Sequence, residues 1–323
     1  MGLKNRVISL REASEMTLSP PEEALADSEV TFRRQVFVLV GGLIFFSVLL
    51  LMPLPEGMTP SGKRLLAVAA LMACWWIGEG TAIAVTALLP LVLFPLLGIM
   101  PSKLVAPNYT NHFVFLFLGG FMIALAMEKW NFHKRLALWI ISAIGTGLHR
   151  IVLGFMIAAA FLSMWISNTA TTMMLLPVGM AVVRQVAAQS TLDGKHDEIT
   201  ERRIAESLGL VLMLGLAYSA SIGGVGTLIG TAPNIVFAGF YKELYPEFPE
   251  ISFVRWMMMA VPVVIIFVPI VWVYLCRFIA SVPLEQIKFG KGETDIIGQE
   301  LAALGKLSRE EKMIAGAFAT TAF

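Results

Sequence analysis

Charged side chains are scarce in this chain. Asp, Glu, Lys and Arg make up 15% of its 323 residues, against about 25% in an ordinary soluble domain. Apolar residues reach 57%, and the mean hydropathy is +0.76. No soluble protein of this size could hide that much apolar surface. The composition therefore excludes a soluble enzyme, a nucleic-acid binder and a disordered regulator. Cysteine is nearly absent. Cys74 and Cys276 stand about 200 positions apart, each inside an apolar run, which excludes a disulfide framework and a thiolate metal site. The four histidines form no His-Glu-x-x-His pair, so a zinc site of that kind is excluded as well. The net charge of +1 gives no bulk preference for partners of either sign.

What is present is a succession of apolar stretches of about 20 residues, the mark of an all-α polytopic membrane protein whose first partner is the lipid bilayer. Residues 1–34 are polar and mixed in charge. They lack the short basic start and following apolar region of a signal peptide and read as a cytoplasmic tail, mostly disordered, in which helical pieces would carry no chemistry. Residues 35–128 hold four spans, Val36–Leu54, Leu65–Ile77, Ala82–Ile99 and Phe113–Met127. Residues 129–150 join a basic start to an apolar body, which suits an interfacial helix. Glu79 and Glu128 fall at span ends and read as solvated interface residues.

Residues 151–184 are unusual. The arms Ile151–Ile166 and Ala170–Val183 flank Ser167-Asn168-Thr169, with Arg150 before and Arg184 after. At 1.5 Å per residue the arms reach about 24 and about 21 Å, short of a hydrocarbon core of about 30 Å. Two short arms with basic ends on one side predict a re-entrant hairpin whose polar tip lies near mid-membrane. Residues 207–241 predict a broken transmembrane helix, because the run from Gly223 to Asn234 holds four glycines, a proline and an asparagine. Unwound backbone at membrane depth persists only inside protein or along a cavity. A span at 255–277, a cytoplasmic linker at 281–310 and the start of a further span at 311–323 follow. With the N-terminus inside, 19 of the 24 basic residues fall on cytoplasmic segments. The positive-inside rule thus predicts a multi-pass protein of the cell (inner) membrane with a cytoplasmic N-terminus.

The two breaks share a chemistry. Each is rich in neutral oxygen groups and lacks Arg, Lys and carboxylates. A helix C-terminus offers free carbonyls to a cation, and a helix N-terminus offers free N–H groups to an anion. Thr231 is placed to cap a half-helix with Pro233 in its first turn. Ser and Thr in membrane helices often only bond back to the preceding turn, and Gly226-x-x-x-Gly230 alone is a packing motif. Two such breaks in one chain, each with Asn and Thr, are the pointer to a secondary-transporter binding site.

Ser167-Asn168-Thr169 at a hairpin tip, followed by Ser221-Ile-Gly-Gly-Val-Gly-Thr-Leu-Ile-Gly-Thr-Ala-Pro-Asn234, resembles the divalent anion:sodium symporter family. The resemblance covers nearly the whole chain from about residue 36. It implies a sodium-coupled, elevator-type carrier of dicarboxylates, citrate or sulfate, built from inverted repeats and usually a homodimer, with Na⁺ as coupling ion and no other cofactor. It places sodium on Ser163, Ser167, Asn168 and Gly230. It places substrate contacts on Asn168, Thr169 and Thr231, and Asn234 in the same turn is counted as a fourth substrate-binding residue.

Family members carry a second Ser-Asn-Thr hairpin in an inverted second half. None follows residue 234 here, and Ala319-Thr320-Thr321 lacks the asparagine. The chain reads as a first repeat plus the start of a second, either truncated or completed by a partner, and residues 1–323 alone are expected not to perform coupled transport. The leading function is sodium symport of small divalent anions, C4-dicarboxylates such as succinate foremost. The alternatives are a proton-coupled or arsenite-type carrier, for which Glu79 is the one weak acid candidate, and a non-transporting membrane subunit. An enzyme acting in the membrane would need a nucleophile–base pair or paired aspartates, and neither pattern is visible.

Overall fold

The computed structural model describes residues 21–322 apart from 55, 146, 193–196, 285–286 and 290–295. The chain is mostly helical. By length and composition, five helical stretches among the described residues can cross a membrane: Phe32–Leu51, Ser102–Lys129, Asn168–Gln189, Glu198–Gly224 and Phe253–Ile279. It divides into two compact units, residues 1–111 and 112–323.

The first unit holds α1 (Pro21–Leu51), α2 (Pro60–Ile77), α3 (Ile83–Ala87), α4 (Leu89–Leu96) and α5 (Ser102–Tyr109). Residues 1–20 of the expected tail lie outside the described residues, while 21–34 are the first turns of α1. Thr59 caps α2, its hydroxyl accepting from Gly62 N–H at 3.1 Å with Pro60 in the first turn, as the preference for proline at that place requires. Trp75 lies against Gly42 and donates Nε1–H to Leu39 O at 3.2 Å, which fastens α2 to α1. The Lys63 ammonium bonds the last carbonyls of α1, Leu50 O at 2.8 Å and Met52 O.

The second unit holds α6 (His112–Lys129), α7 (Phe132–Ile144), α8 (Leu148–Ser163), α9 (Asn168–Gln189), α10 (Glu198–Gly224), α11 (Ala232–Leu244), α12 (Phe253–Tyr274, continuing as a π-helix over Leu275–Ile279), α13 (Ile296–Ala303) and α14 (Arg309–Ala322). The unit begins with α6, which was grouped with the preceding spans from sequence. Gly120 on α6 lies against Ile229, so a side chain there would hold α6 away from the α10–α11 break. The one departure from an all-helical reading among the described residues is a two-stranded antiparallel pairing. β1 (Ser190–Leu192) meets β2 (Ile287–Phe289) with Ser190 opposite Phe289. The expected linker 281–310 thus carries β2 and α13.

The helices α8 and α9 follow one another around residues 164–167 as two arms of a helical hairpin, and α10 packs along both arms. Phe155, Met156 and Leu162 of α8, Leu175 of α9 and Leu208, Leu212 and Leu216 of α10 are almost fully buried between them. The second arm is longer than its apolar run. It continues through Arg184 to Gln189, 22 residues in all, because a charge marks where a chain can leave lipid and does not by itself end a helix. At the far end of the hairpin, Gly223 of α10 lies on the Ala160 backbone so closely that a Cβ there would overlap the carbonyl oxygen. That close approach brings the end of α10 to the hairpin tip.

Candidate functional site

The tip begins where α8 ends at Ser163. Met164, Trp165 and Ile166 turn back on carbonyls of the last helical turn. Ser167 then takes an extended conformation, and its hydroxyl accepts from Ala170 N–H at 3.2 Å, an N-cap that starts α9 at Asn168. The N–H groups of Asn168 and Thr169 open the helix and have no preceding turn to bond.

The second break begins as α10 ends at Gly224 and lasts until α11 begins at Ala232. Its carbonyls are largely satisfied from nearby. Ile222 O and Gly223 O accept from Val225 N and Gly226 N. Asn234 Nδ2 donates to Gly224 O at 2.9 Å and to Thr227 O at 2.7 Å. Trp256 Nε1 donates to Val225 O at 2.8 Å. Thr231 stands at the N-cap of α11, as expected, but its side chain makes no capping hydrogen bond.

One buried residue ties the breaks together. The Thr227 hydroxyl donates to Met164 O at the hairpin tip and accepts from Gly230 N–H at 3.0 Å. The two breaks then line one cavity of about 230 Å³. Ser167, Asn168 and Thr169 face it from the tip, and Gly230, Thr231 and Ala232 from the second break. Phe117 and Phe121 of α6, with Trp165, form apolar wall. The volume lies below the usual 300–1,000 Å³ of drug-sized pockets and suits a ligand of few heavy atoms. Among the described residues no carboxylate, lysine or arginine lines it.

Behind this cavity Ser163 is 0% exposed. Its Oγ lies 2.5 Å from Asn168 Oδ1 and 2.6 Å from Ala220 O. A hydroxyl has one proton, so two acceptor oxygens compete for it. Gly230 lies in the same crowd, since a Cβ there would stand 2.5 Å from Gly224 O and 3.0 Å from Ser163 O. This concentration of oxygens with few protons is a setting that a small hard cation satisfies.

The structure brings six of the seven sequence-predicted residues to this place. Ser167, Asn168, Thr169, Gly230 and Thr231 line the cavity, and Ser163 touches Asn168 from behind. Asn234 is 6% exposed, does not line the cavity and spends its amide on the carbonyls of the break. Its position in the turn made it a candidate for substrate, but an unwound helix end needs a donor for its carbonyls. Sequence reading missed Thr227, Trp165 and Trp256. Thr227 sits within the glycine-rich run, where a lone polar residue looks like loop, and only its burial shows its place as a bridge.

Residues 33–322 match the family described as the sodium:sulfate symporter transmembrane region. A protein named sodium-dependent dicarboxylate transporter SdcS from Staphylococcus saprophyticus is 41% identical over 288 residues, covering 89% of this chain and 53% of that protein. A protein of the same name from Staphylococcus aureus is 40% identical over 280 residues, covering 87% of this chain and 52% of its own length. The chain thus spans about half the length of the curated relatives it matches. With the match running across nearly all the described helices, the chain belongs to the sodium:sulfate symporter transmembrane family, a family of multi-pass membrane transporters.

Proposed function

We propose that the chain serves sodium-coupled symport of small divalent anions, with C4-dicarboxylates such as succinate as the leading substrate. The observation that carries this reading is that both helix breaks line one cavity, with no charged side chain among its described residues. A dianion there has the N-termini of α9 and α11 to draw on, each worth about 0.3–1 kcal/mol when exposed and up to about 2 when partly buried. That is too little to offset two charges taken from water. Bound sodium supplies the rest, and that need couples ion to substrate.

In this reading Ser163, Ser167, Asn168 and Gly230 hold Na⁺, while Asn168, Thr169 and Thr231 meet substrate carboxylate. Thr231 suits the role because its hydroxyl makes no capping bond. The names of the SdcS proteins favour sodium and a dicarboxylate. An elevator movement, inverted repeats and a homodimer go with the family resemblance. The basic-residue bias favours a cytoplasmic N-terminus with the hairpin entering from the same side. The proton-coupled alternative gains no support from Glu79, whose side chain is 81% exposed and lies 4.0 Å from Arg34.

The test is uptake of radiolabelled succinate, citrate and sulfate by proteoliposomes under an inward sodium gradient, with this chain joined to a second, inverted repeat. Saturable succinate accumulation that collapses when choline replaces sodium supports the reading. Accumulation driven equally well by a proton gradient without sodium overturns it. Orientation is tested by cysteine placed at Arg150 and at Arg184. Both are expected to react with an impermeant thiol reagent from the cytoplasmic side, and labelling from opposite faces would refute the hairpin.

A further inference from the structure

We propose that a cavity at the far end of the same unit binds the phosphodiester of an anionic phospholipid headgroup. The cavity holds about 410 Å³ and lies where α8 begins and α12 ends, with His149, Trp272, Cys276, Arg277, Phe278 and Pro283 in its wall. None of its residues takes part in the breaks described above.

Three observations point to an anion. The His149 Nε2 atom is buried and makes no hydrogen bond among the described residues. His149 lines the cavity with a ring nitrogen that no described residue uses, and the ring is held in place. His149 O accepts from Trp272 Nε1 at 2.9 Å, and the two rings stand edge to face at 6.4 Å. Second, Arg277 is exposed on the cavity rim and makes no ion pair among the described residues, and no carboxylate among the described residues lines the space. Third, His149 belongs to the first turn of the 16-residue helix α8, whose unpaired N–H groups favour negative charge. The chain also winds as a π-helix over Leu275–Ile279, a departure found mostly at functional sites, and Arg277 and Phe278 lie on it.

The surroundings favour a lipid over a free phosphate. The last turns of α12 leave Ile266, Ile270, Val273, Tyr274 and Phe278 exposed, an apolar strip that leads to the cavity and suits acyl chains. Arginine beside Trp and Tyr at the end of a span is the setting in which membrane proteins meet headgroups.

The experiment uses the full chain in neutral detergent. Short-chain phosphatidylglycerol, the matching phosphatidylcholine and inorganic phosphate are titrated separately, with thermal unfolding and native mass spectrometry as readouts. Phosphatidylglycerol is expected to raise the unfolding midpoint and to persist as an adduct, while phosphatidylcholine and phosphate do neither. Arg277→Gln is expected to weaken the phosphatidylglycerol adduct about fivefold, the value of one basic residue at a lipid surface. Arg277→Lys retains most of the effect, and Arg203→Gln, on another surface, leaves it unchanged. Equal binding of the two lipids overturns the proposal on the unmodified protein alone. Full retention in Arg277→Gln overturns it too, and binding of phosphate as strong as that of phosphatidylglycerol shows a free-anion site in place of a lipid site.

Discussion

Arg135 on α7 and Glu311 on α14 form an ion pair closed to water, Nε to Oε1 at 2.8 Å, with each side chain 5% exposed. The guanidinium also bonds Leu304 O and Gly305 O, both at 2.9 Å, just past α13, where Gly305 turns the chain with φ at +65°. Glu311 accepts from Ser308 N–H at 2.8 Å, and Ser308 Oγ accepts from Glu311 N–H at 3.1 Å. That reciprocal capping box starts α14. One arginine therefore fastens three helices. Arg135→Gln is expected to lower stability by about 3–5 kcal/mol, because it leaves a buried carboxylate uncompensated.

The same pair gives a pH dependence with a definite sign. Burial pushes the Glu311 carboxyl up, but the Arg135 hydrogen bond, the Ser308 N–H and the arginine charge outweigh it and hold the group below its ordinary range. A carboxyl lowered in the folded state stabilises the fold above its unfolded pKa, about 4.3. That stability is lost as pH falls through the folded value. Thermal unfolding in detergent should show this acid limb in the unmodified protein and lack it in Glu311→Gln. An identical acid limb in that variant would assign it to other carboxylates.

Sodium should stabilise the chain through Asn168. If the oxygens around Ser163 hold the ion, sodium at a hundred times its dissociation constant adds about 2.7 kcal/mol. The unfolding midpoint should rise in sodium relative to choline at equal ionic strength. Asn168→Ala removes the side-chain oxygen nearest Ser163 Oγ and should abolish that rise while leaving the choline midpoint within a few degrees. A sodium response that survives the substitution would place the ion elsewhere.

Much of this site was legible in the sequence because polar residues inside apolar runs have few reasons to be there. Ser167-Asn168-Thr169 and Gly230-Thr231 were visible as breaks, and the structure brings both to one cavity. What was hidden depended on contacts distant in the chain. Arg135 and Lys134 read as the basic edge of an interfacial helix, yet Glu311 and Glu300 reach them across more than 160 residues. The end of the hairpin's second arm was misplaced because hydropathy falls at Arg184 and the helix does not. Asn234 looked like a ligand group, since no sequence pattern tells which carbonyls an amide will be spent on.

Close backbone packing at Gly223 makes a sharper test of how the breaks are held together. A Cβ at this position would overlap the Ala160 carbonyl, and backbone cannot rotate away as a side chain can. Gly223→Ala is expected to cost about 1–3 kcal/mol by overpacking and to weaken the sodium response by separating α10 from the hairpin tip. Gly41→Ala is the control. Nothing lies within 4 Å of a Cβ there, and replacing a helical glycine by alanine stabilises by about 0.5–1 kcal/mol. If both variants unfold alike, the contact with Ala160 has no energetic weight.

Thr227 offers a way to disturb the cavity without substituting any residue that lines it. Its hydroxyl is buried, donates to Met164 O and accepts from Gly230 N–H at 3.0 Å, so it joins the hairpin tip to the residue that closes the second break. Thr227→Val keeps the shape and removes the hydroxyl, which leaves Met164 O buried without its donor and the Gly230 N–H with only a long 3.4 Å bond to Thr227 O. The unpaired carbonyl costs about 1–3 kcal/mol. Relaxation to recover the lost bonds must move Met164 or Gly230, and Gly230 stands among the oxygens around Ser163. The expected result is therefore twofold: a lower unfolding midpoint and a weaker sodium-dependent rise. Thr227→Ser retains the hydroxyl and loses only a methyl group. It should recover the sodium response even where the midpoint stays depressed, because the cavity left by a methyl lowers stability without unpairing either polar group. A Thr227→Val protein with the full sodium response would show that the two breaks keep their relation through backbone packing alone.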